Sequence, residues 1–307
     1  MKLYDSIVIG GGPAGMTAAL YLLRSGVSVA WCEKLSPGGQ MLMTEEIENY
    51  PGFPKGLKGY ELVDLFAAHL DGWSFDKYTD EVAEIIPGNG VHRVRVGDEW
   101  VEGKALIICS GARYKRLGLP NEERLTGKGI SYCALCDGNF FRGQEVGVVG
   151  GGNSALEESL YLSKLVKKLH LIHRRDDFRA MKCYQDKVCI KPDIEVVRST
   201  VVTEIHGENA LEGVTLRNLK TGEEHFLKLD GLFVFIGFEP VTGFFPDQLG
   251  VDAQGFIITD VEMATNVPGI FAAGDVRSKL CRQVTTAVGD GATAANSAFL
   301  YLEQLDA

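Results

Sequence analysis

The sequence predicts an α/β protein built on two strand–turn–helix–strand units, and three observations carry that prediction. An apolar strand runs into a triple glycine twice, as Ile7-Val8-Ile9-Gly10-Gly11-Gly12-Pro13-Ala14-Gly15 and as Gly147-Val148-Val149-Gly150-Gly151-Gly152-Asn153-Ser154-Ala155. The likeness continues without a gap into the helix that follows, as Leu20-Tyr21-Leu22 and Leu160-Tyr161-Leu162. Each helix then leads to a second apolar strand, which completes a βαβ unit. At 307 residues the chain can hold two domains of ordinary size, each with its own core.

In chain order, residues 5–10 read as a strand, 14–25 as a helix and 27–33 as a second strand. From 38 to about 58, glycine, proline and acidic residues suggest a long loop over a ligand. Residues 60–70 are helical, with Leu62, Phe66 and Leu70 on one face. Residues 91–101 alternate like a strand near a hairpin, and 105–109 read as a buried strand ending at Ser110-Gly111. A connector rich in glycine, proline and charge spans 112–129. The second unit takes 146–149 as strand, 154–165 as helix and 168–173 as strand. Residues 232–236 are another apolar strand, 269–275 a strand running into a Gly-Asp turn, and a long helix closes the chain through about Leu302.

Composition removes several functions. With 45% hydrophobic and 23% charged residues the chain is globular, and its net charge of -10 argues against a general nucleic-acid binder. No apolar run approaches the roughly 20 residues of a membrane helix, and the first apolar stretch is broken by Gly10, Gly11, Gly12 and Pro13, so neither membrane insertion nor a signal peptide is expected. Seven cysteines, an odd number, suit a reducing compartment with one special pair, and the cytoplasm is the expected location.

The glycine turns have a chemical purpose. Gly10 makes the tight turn, Gly12 admits a pyrophosphate to the backbone and Gly15 allows close helix–strand packing, while the helix N-terminus offers N–H donors to the anion. Glu33, at the end of the second strand, can accept bonds from ribose hydroxyls; the plainer reading is a glycine turn beside a surface glutamate. In the second copy His173 stands opposite Glu33 and is followed by Arg174 and Arg175, with Arg179 beyond, so a cation replaces the carboxylate. Guanidinium groups hold a 2′-phosphate that a carboxylate would repel. Two Rossmann-like dinucleotide-binding domains are therefore expected, the first for FAD and the second for NADPH; an exposed basic turn is the alternative.

Cys133 and Cys136 lie between the two turns, separated by two residues, a spacing that closes a small disulfide and points to electrons passing from a nucleotide to a dithiol. Structural zinc, or two inert core cysteines, would be the alternatives, but no further ligands stand near at metal spacing and no metal is expected. Asp137 reads equally as a proton donor or acceptor for the dithiol and as a helix cap. Asp275, at a strand end, could accept bonds from flavin ribityl hydroxyls or be an ordinary turn residue. Cys32 and Cys109 read as buried structural thiols.

In combination, Gly10–Gly15, Gly38-Gly39-Gln40, Glu48-Asn49-Tyr50-Pro51-Gly52, Cys133-Ala134-Leu135-Cys136-Asp137-Gly138, Gly150–Ala155, His173-Arg174-Arg175, Gly274-Asp275 and Arg282-Gln283-Val284 resemble the bacterial-type low-molecular-weight thioredoxin reductases over essentially the whole chain. The resemblance implies a homodimer, an FAD domain made of residues 1–114 and 241–307, and an NADPH domain, 115–240, inserted into it. It further implies that Cys136 faces the flavin and forms the charge-transfer thiolate, that Cys133 attacks the disulfide of thioredoxin or a thioredoxin-like protein, and that Asp137 serves as acid. Around FAD it places Gly10, Gly12, Ala14, Gly15, Glu33, Gly39, Gln40, Asn49, Val82, Gly111, Asp275, Arg282, Gln283 and Val284. Around NADPH it places Gly152, Asn153, Ser154, His173, Arg174, Arg175, Arg179 and Gly237. Leu135, where threonine is frequent, and Cys281, where an aromatic residue is common, depart from the family pattern and bear on partner choice. Nicotinamide and disulfide must each contact one flavin ring and Cys133 must also meet a protein substrate, which one arrangement cannot provide, so two domain orientations are expected, as the resemblance also implies, hinged near 112–117 and 238–243. A flavin-dependent dithiol oxidase or ferredoxin-fed reductase would share the fold without using NADPH, and the arginines argue against it. A non-catalytic redox-sensing flavoprotein would not need the intact cysteine pair.

Overall fold

The computed structural model describes residues 1–44 and 46–305. The chain divides into two compact units, one formed by Met1–Met43, Ile47–Arg113 and the chain from Glu239 onward, the other chiefly by Tyr114–Phe238. It passes between them twice, on the strands Ala112–Tyr114 and Phe238–Pro240, which pair with each other.

The first unit is organised by the strand Leu3–Ile9, which pairs in parallel with Val29–Cys32 on one side and Glu99–Ile108 on the other. Side chains alternate across a sheet with period two, so the sequence Ile7-Val8-Ile9 feeds two cores. Val8 and Ile107 pack with the helices Pro13–Arg24 and Val284–Leu305 on one face, whereas Ile7, Ile9, Leu106 and Ile108 pack on the other with Ile270 and Ala272. The two helices cross closely because both carry small residues: a Cβ on Gly291 would stand 2.3 Å from the Ala14 carbonyl oxygen.

One expectation requires correction. Residues 91–101 and 105–109 are not two strands: His92–Val96 turns at Gly97-Asp98 into a single ten-residue strand, Glu99–Ile108. Gly103 lies within this strand, where a Cβ would come within 2.7 Å of the Ile7 side chain. Gly97, at φ +55°, makes the turn between the two strands. The long strand also changes partner, pairing antiparallel with His92–Val96 in its first half and parallel with Ile270–Ala272 in its second.

The second unit repeats the plan. Its five-stranded parallel sheet runs Ile130–Ser131, Gly231–Phe235, Glu145–Gly150, Lys168–Ile172, Ile194–Val197. Val146, Val148, Leu169, Leu171 and Phe233 pack with the helix Asn153–Leu162, and Val149, Ile172, Leu232 and Val234 pack on the opposite face with the antiparallel meander Thr200–His206, Gly213–Asn218, Glu224–Lys228. The connector at 112–129 holds a helical turn, Glu122–Leu125. No helix among the described residues is long and apolar enough to cross a membrane.

Candidate active site

The two glycine turns have matching geometry. At Gly10, φ is +109° and a Cβ would stand 2.3 Å from the Cys109 carbonyl oxygen; at Gly150 the corresponding neighbour is the Phe235 carbonyl oxygen, at 2.5 Å. Only glycine fits either position. Apart from the chain on either side, a Cβ at Gly12 or Gly152 would meet nothing within 4 Å among the described residues, so both turns leave open space at the helix start. Neither Gly12 nor Gly152 supplies a side-chain cap, so the first N–H groups of both helices remain available to an anion.

The residues at 33 and 173 also occupy equivalent places, each against the middle glycine. A Cβ on Gly11 would meet the Glu33 side chain at 2.7 Å, and one on Gly151 the His173 ring at 2.1 Å. Glu33 accepts bonds from the N–H groups of Gly11, at 2.6 Å, and Leu35, at 2.9 Å, which aim its carboxylate at the turn. His173 packs into the turn, and the cations expected at that position are the arginines that follow it. It is buried, its Nε2 bonds the Asp177 carbonyl oxygen at 3.0 Å and its ring stacks on Phe178. Burial pulls the imidazole below its ordinary value, the backbone carbonyls of Asp177 and Gly150 oppose this, and Arg175 and Arg174 reinforce it. The ring is therefore neutral near pH 7, and the positive charge resides on Arg174, Arg175 and Arg179, all exposed and without a carboxylate partner among the described residues. The Arg179 N–H donates to the Gly151 carbonyl oxygen at 2.8 Å, which brings this arginine loop to the turn. Asn153 Oδ1 accepts from the Met181 N–H, and Ser154 is exposed in the first helical turn. Gly237 follows the strand Gly231–Phe235, with φ +116°.

In the first unit several expected residues converge. The Gly38 N–H donates to the Gly11 carbonyl oxygen at 2.7 Å, so Gly39 lies beside Gly12, and Gln40 donates to the Ala112 carbonyl next to Gly111. Asn49 and Gln283 bond each other at 3.1 Å, although 234 residues separate them. Arg282 spans the loop around Asp275, donating to the carbonyl oxygens of Asp275, Lys279 and Arg277 and stacking on Phe256. Val284 begins the last helix. Val82 faces the core with Cys32 and Ile9, which leaves its backbone rather than its side chain for any ligand.

Asp275 tests whether this set suits a flavin nucleotide. Its Oδ1 is buried without a hydrogen-bond partner among the described residues, and desolvation, reinforced by Asp290, raises the carboxyl above its usual range against Lys279 and Arg282. A buried acceptor in that state needs a donor, and ribityl hydroxyls are donors. With the open space at Gly12 and the carboxylate of Glu33, the residues fit a flavin dinucleotide. Asp290, which the motifs did not point to, holds the loop: its Oδ2 accepts from the Gly274 N–H at 3.1 Å, Lys279 Nζ at 2.8 Å and Arg277 Nη1 at 3.0 Å. An acid in an otherwise small and apolar stretch of the final helix was its only sequence signal.

Cys133 and Cys136 form a disulfide, with Cα atoms 5.3 Å apart, at a short helical turn, Ala134–Asp137. Both cysteines are half-buried, and the Cys136 N–H donates to Cys133 Sγ at 3.2 Å. Asp137 does not cap the following turn with its side chain; its Oδ2 accepts from Ser131 Oγ at 2.6 Å. Tyr132 is anchored by Glu122, a carboxylate 2% exposed that also accepts from the N–H groups of Leu117, Gly118 and Leu119. Sequence reasoning missed both Glu122 and Ser131. The isolated thiols are structural as expected: Cys32 and Cys109 are buried, and desolvation pushes Cys32 up to about 12.

Comparison with known proteins agrees with this geometry. Residues 4–291 match the pyridine nucleotide-disulphide oxidoreductase family. A Bacillus subtilis protein named thioredoxin reductase is 44% identical, covering 99% of this chain and 96% of its own. The crystal structure of thioredoxin reductase from Streptococcus pyogenes is 45% identical, with a TM-score of 0.91 and coverage of 98% and 99%. A ferredoxin-flavin thioredoxin reductase from Clostridium acetobutylicum is 28% identical, with a TM-score of 0.56 over 100% of this chain and 99% of that one. The chain belongs to the pyridine nucleotide-disulphide oxidoreductase family and, within it, to the thioredoxin reductases.

Proposed function

We propose that the chain is an NADPH-dependent thioredoxin-disulfide reductase working through Cys133 and Cys136. The observation that carries this reading is the closed Cys133–Cys136 disulfide in the same unit as the arginine-flanked glycine turn. The Bacillus and Streptococcus relatives, both named thioredoxin reductases, support it. Residues 1–114 and 241–307 would hold FAD, through the Gly10–Gly15 turn, Glu33, Gly39, Gln40, Asn49, Gly111, Asp275, Arg282, Gln283 and the backbones of Val82 and Val284. Residues 115–240 would hold NADPH, its 2′-phosphate on Arg174, Arg175 and Arg179 and its pyrophosphate on the Gly152–Ser154 turn. When bound, FAD would supply the two-electron carrier between the nicotinamide and the Cys133–Cys136 disulfide.

The protein's own groups carry the rest. Reduction opens the Cys133–Cys136 bond, and the Cys136 N–H that donates to Cys133 Sγ favours the thiolate there. This thiolate attacks one sulfur of the thioredoxin disulfide; the partner's S–S bond breaks and the departing sulfur takes a proton from Asp137. Cys136 then attacks Cys133 in the mixed disulfide, the second partner sulfur leaves, and the Cys133–Cys136 bond forms again. Two electrons have passed to the partner. Thioredoxin-class disulfides sit near about -270 mV, so a small driving force suffices.

The ferredoxin-fed reading would leave Arg174, Arg175 and Arg179 without a ligand, which favours NADPH. The family likeness supports a homodimer, and five free cysteines suit the cytoplasm. With FAD bound, the protein should reduce oxidised thioredoxin with NADPH at turnover rates of about 1–1,000 per second. Reduction that required ferredoxin and ignored NADPH would overturn the reading.

A further inference from the structure

The Ser131 hydroxyl lies at the centre of the redox turn. It is 4% exposed, on the strand Ile130–Ser131, whose backbone is fixed by pairing with Leu232 and Phe233. Three polar atoms surround it: Asp137 Oδ2 at 2.6 Å, the Cys133 N–H at 3.1 Å and the Cys133 carbonyl oxygen at 3.2 Å. A hydroxyl has one proton to donate and two lone pairs to accept with, so its single proton has two candidate acceptors here.

We propose that Ser131 is the positioning residue for Asp137, holding that carboxyl in both protonation states by turning its one proton between Asp137 Oδ2 and the Cys133 carbonyl oxygen. The inference rests on the reading of Asp137 as the proton donor to the departing sulfur. When Asp137 is ionised, Ser131 O–H donates to the carboxylate, and 2.6 Å is the length of a charge-assisted O–H···O⁻ bond. When Asp137 is protonated, its own O–H donates to Ser131 Oγ, and the serine proton turns to the Cys133 carbonyl, which already accepts from the Asp137 N–H at 3.1 Å. In both states Oγ also accepts from the Cys133 N–H. The proton can thus leave Asp137 for the sulfur, and later return from solvent, without side-chain movement and without stranding a buried polar group. No proton passes through Ser131 itself; it reorients while Asp137 loses and gains one.

Other titratable groups lie close by in the fold. The helix Asn153–Leu162, packed against Ala134–Asp137, carries Glu157, Glu158 and Tyr161, and burial together with Glu157 pushes Glu158 up to about 7. Tyr132 bonds Glu122, with Arg116 acting on it, while the strand Gly231–Phe235 has no titratable side chain. The test therefore isolates Asp137 first. The rate of thioredoxin reduction by the NADPH-reduced holoenzyme is measured against pH, and the limb lost in Asp137→Asn is taken as that of Asp137. In Ser131→Ala and in Ser131→Val this limb should move to higher pH by about one unit, because the bond favouring the carboxylate is gone. The plateau rate should fall about tenfold, since one tenfold step corresponds to one such bond. Flavin reduction by NADPH should not change. Ser131→Thr, which has the shape of valine with the hydroxyl kept, should leave the limb where it is in the wild type. A limb unmoved in the Ala and Val proteins, or displaced in the Thr protein as far as in the Val protein, overturns the proposal. A limb that survives in Asp137→Asn removes the acid reading beneath it, and the proposal with it.

Discussion

Replacing Cys133 with serine is expected to lower thioredoxin reduction at least about a thousandfold while leaving reduction of the bound flavin by NADPH intact. A serine hydroxyl is not ionised near pH 7 and cannot form a disulfide, whereas the cysteine has a backbone N–H aimed at its sulfur. The remaining Cys136 thiol could accept no intramolecular partner, so the electrons would stop at the flavin. Cys136→Ser makes the complementary case. Cys133 could still attack thioredoxin, but nothing would resolve the product, and a stable Cys133–thioredoxin mixed disulfide should accumulate. Stopped-flow absorbance and a non-reducing gel read both results. Wild-type turnover in Cys133→Ser, or a mixed disulfide formed through Cys136, would mean that the two sulfurs have been given the wrong roles.

The second large effect concerns the choice of nicotinamide. Arg174→Ala combined with Arg175→Ala should lower kcat/KM for NADPH about 10- to 100-fold and leave that for NADH within about twofold. Both guanidinium groups are exposed, so solvent screens them and each phosphate contact is worth less than a buried one. The loss should shrink as ionic strength rises, because the attraction is screened over about 10 Å at 0.1 M salt. His173 does not share in this discrimination by charge, since burial keeps its ring neutral near pH 7. Equal losses with the two nicotinamides would show that the arginine loop supports the fold of the turn rather than reading the 2′-phosphate.

Much of this was legible because the informative residues are local. Gly10, Gly12 and Glu33 fall within one βαβ unit, as do Gly152, Arg174 and Arg175, and the gap-free repeat turned one motif into a comparison between two ligand sites. The turn at Gly97 was hidden because an alternating pattern continues on both sides of it. His173 packs against Phe178 and Gly151, and the charge read at this position lies on the arginines that follow it. Asp290, Glu122 and Ser131 act through contacts set by the fold: Asp290 reaches Gly274 across 16 residues, and Ser131 meets Asp137 only because the redox turn closes on the edge strand. Hydroxyls and buried carboxylates of this kind have no periodicity to reveal them.

The account depends most on electrons from a nicotinamide reaching one particular sulfur pair. The direct measurement is a thiol count on holoprotein treated anaerobically with NADPH, denatured and alkylated. Before treatment five thiols per chain should react, and afterwards seven, with the two new labels on Cys133 and Cys136. A count that stays at five would contradict the account.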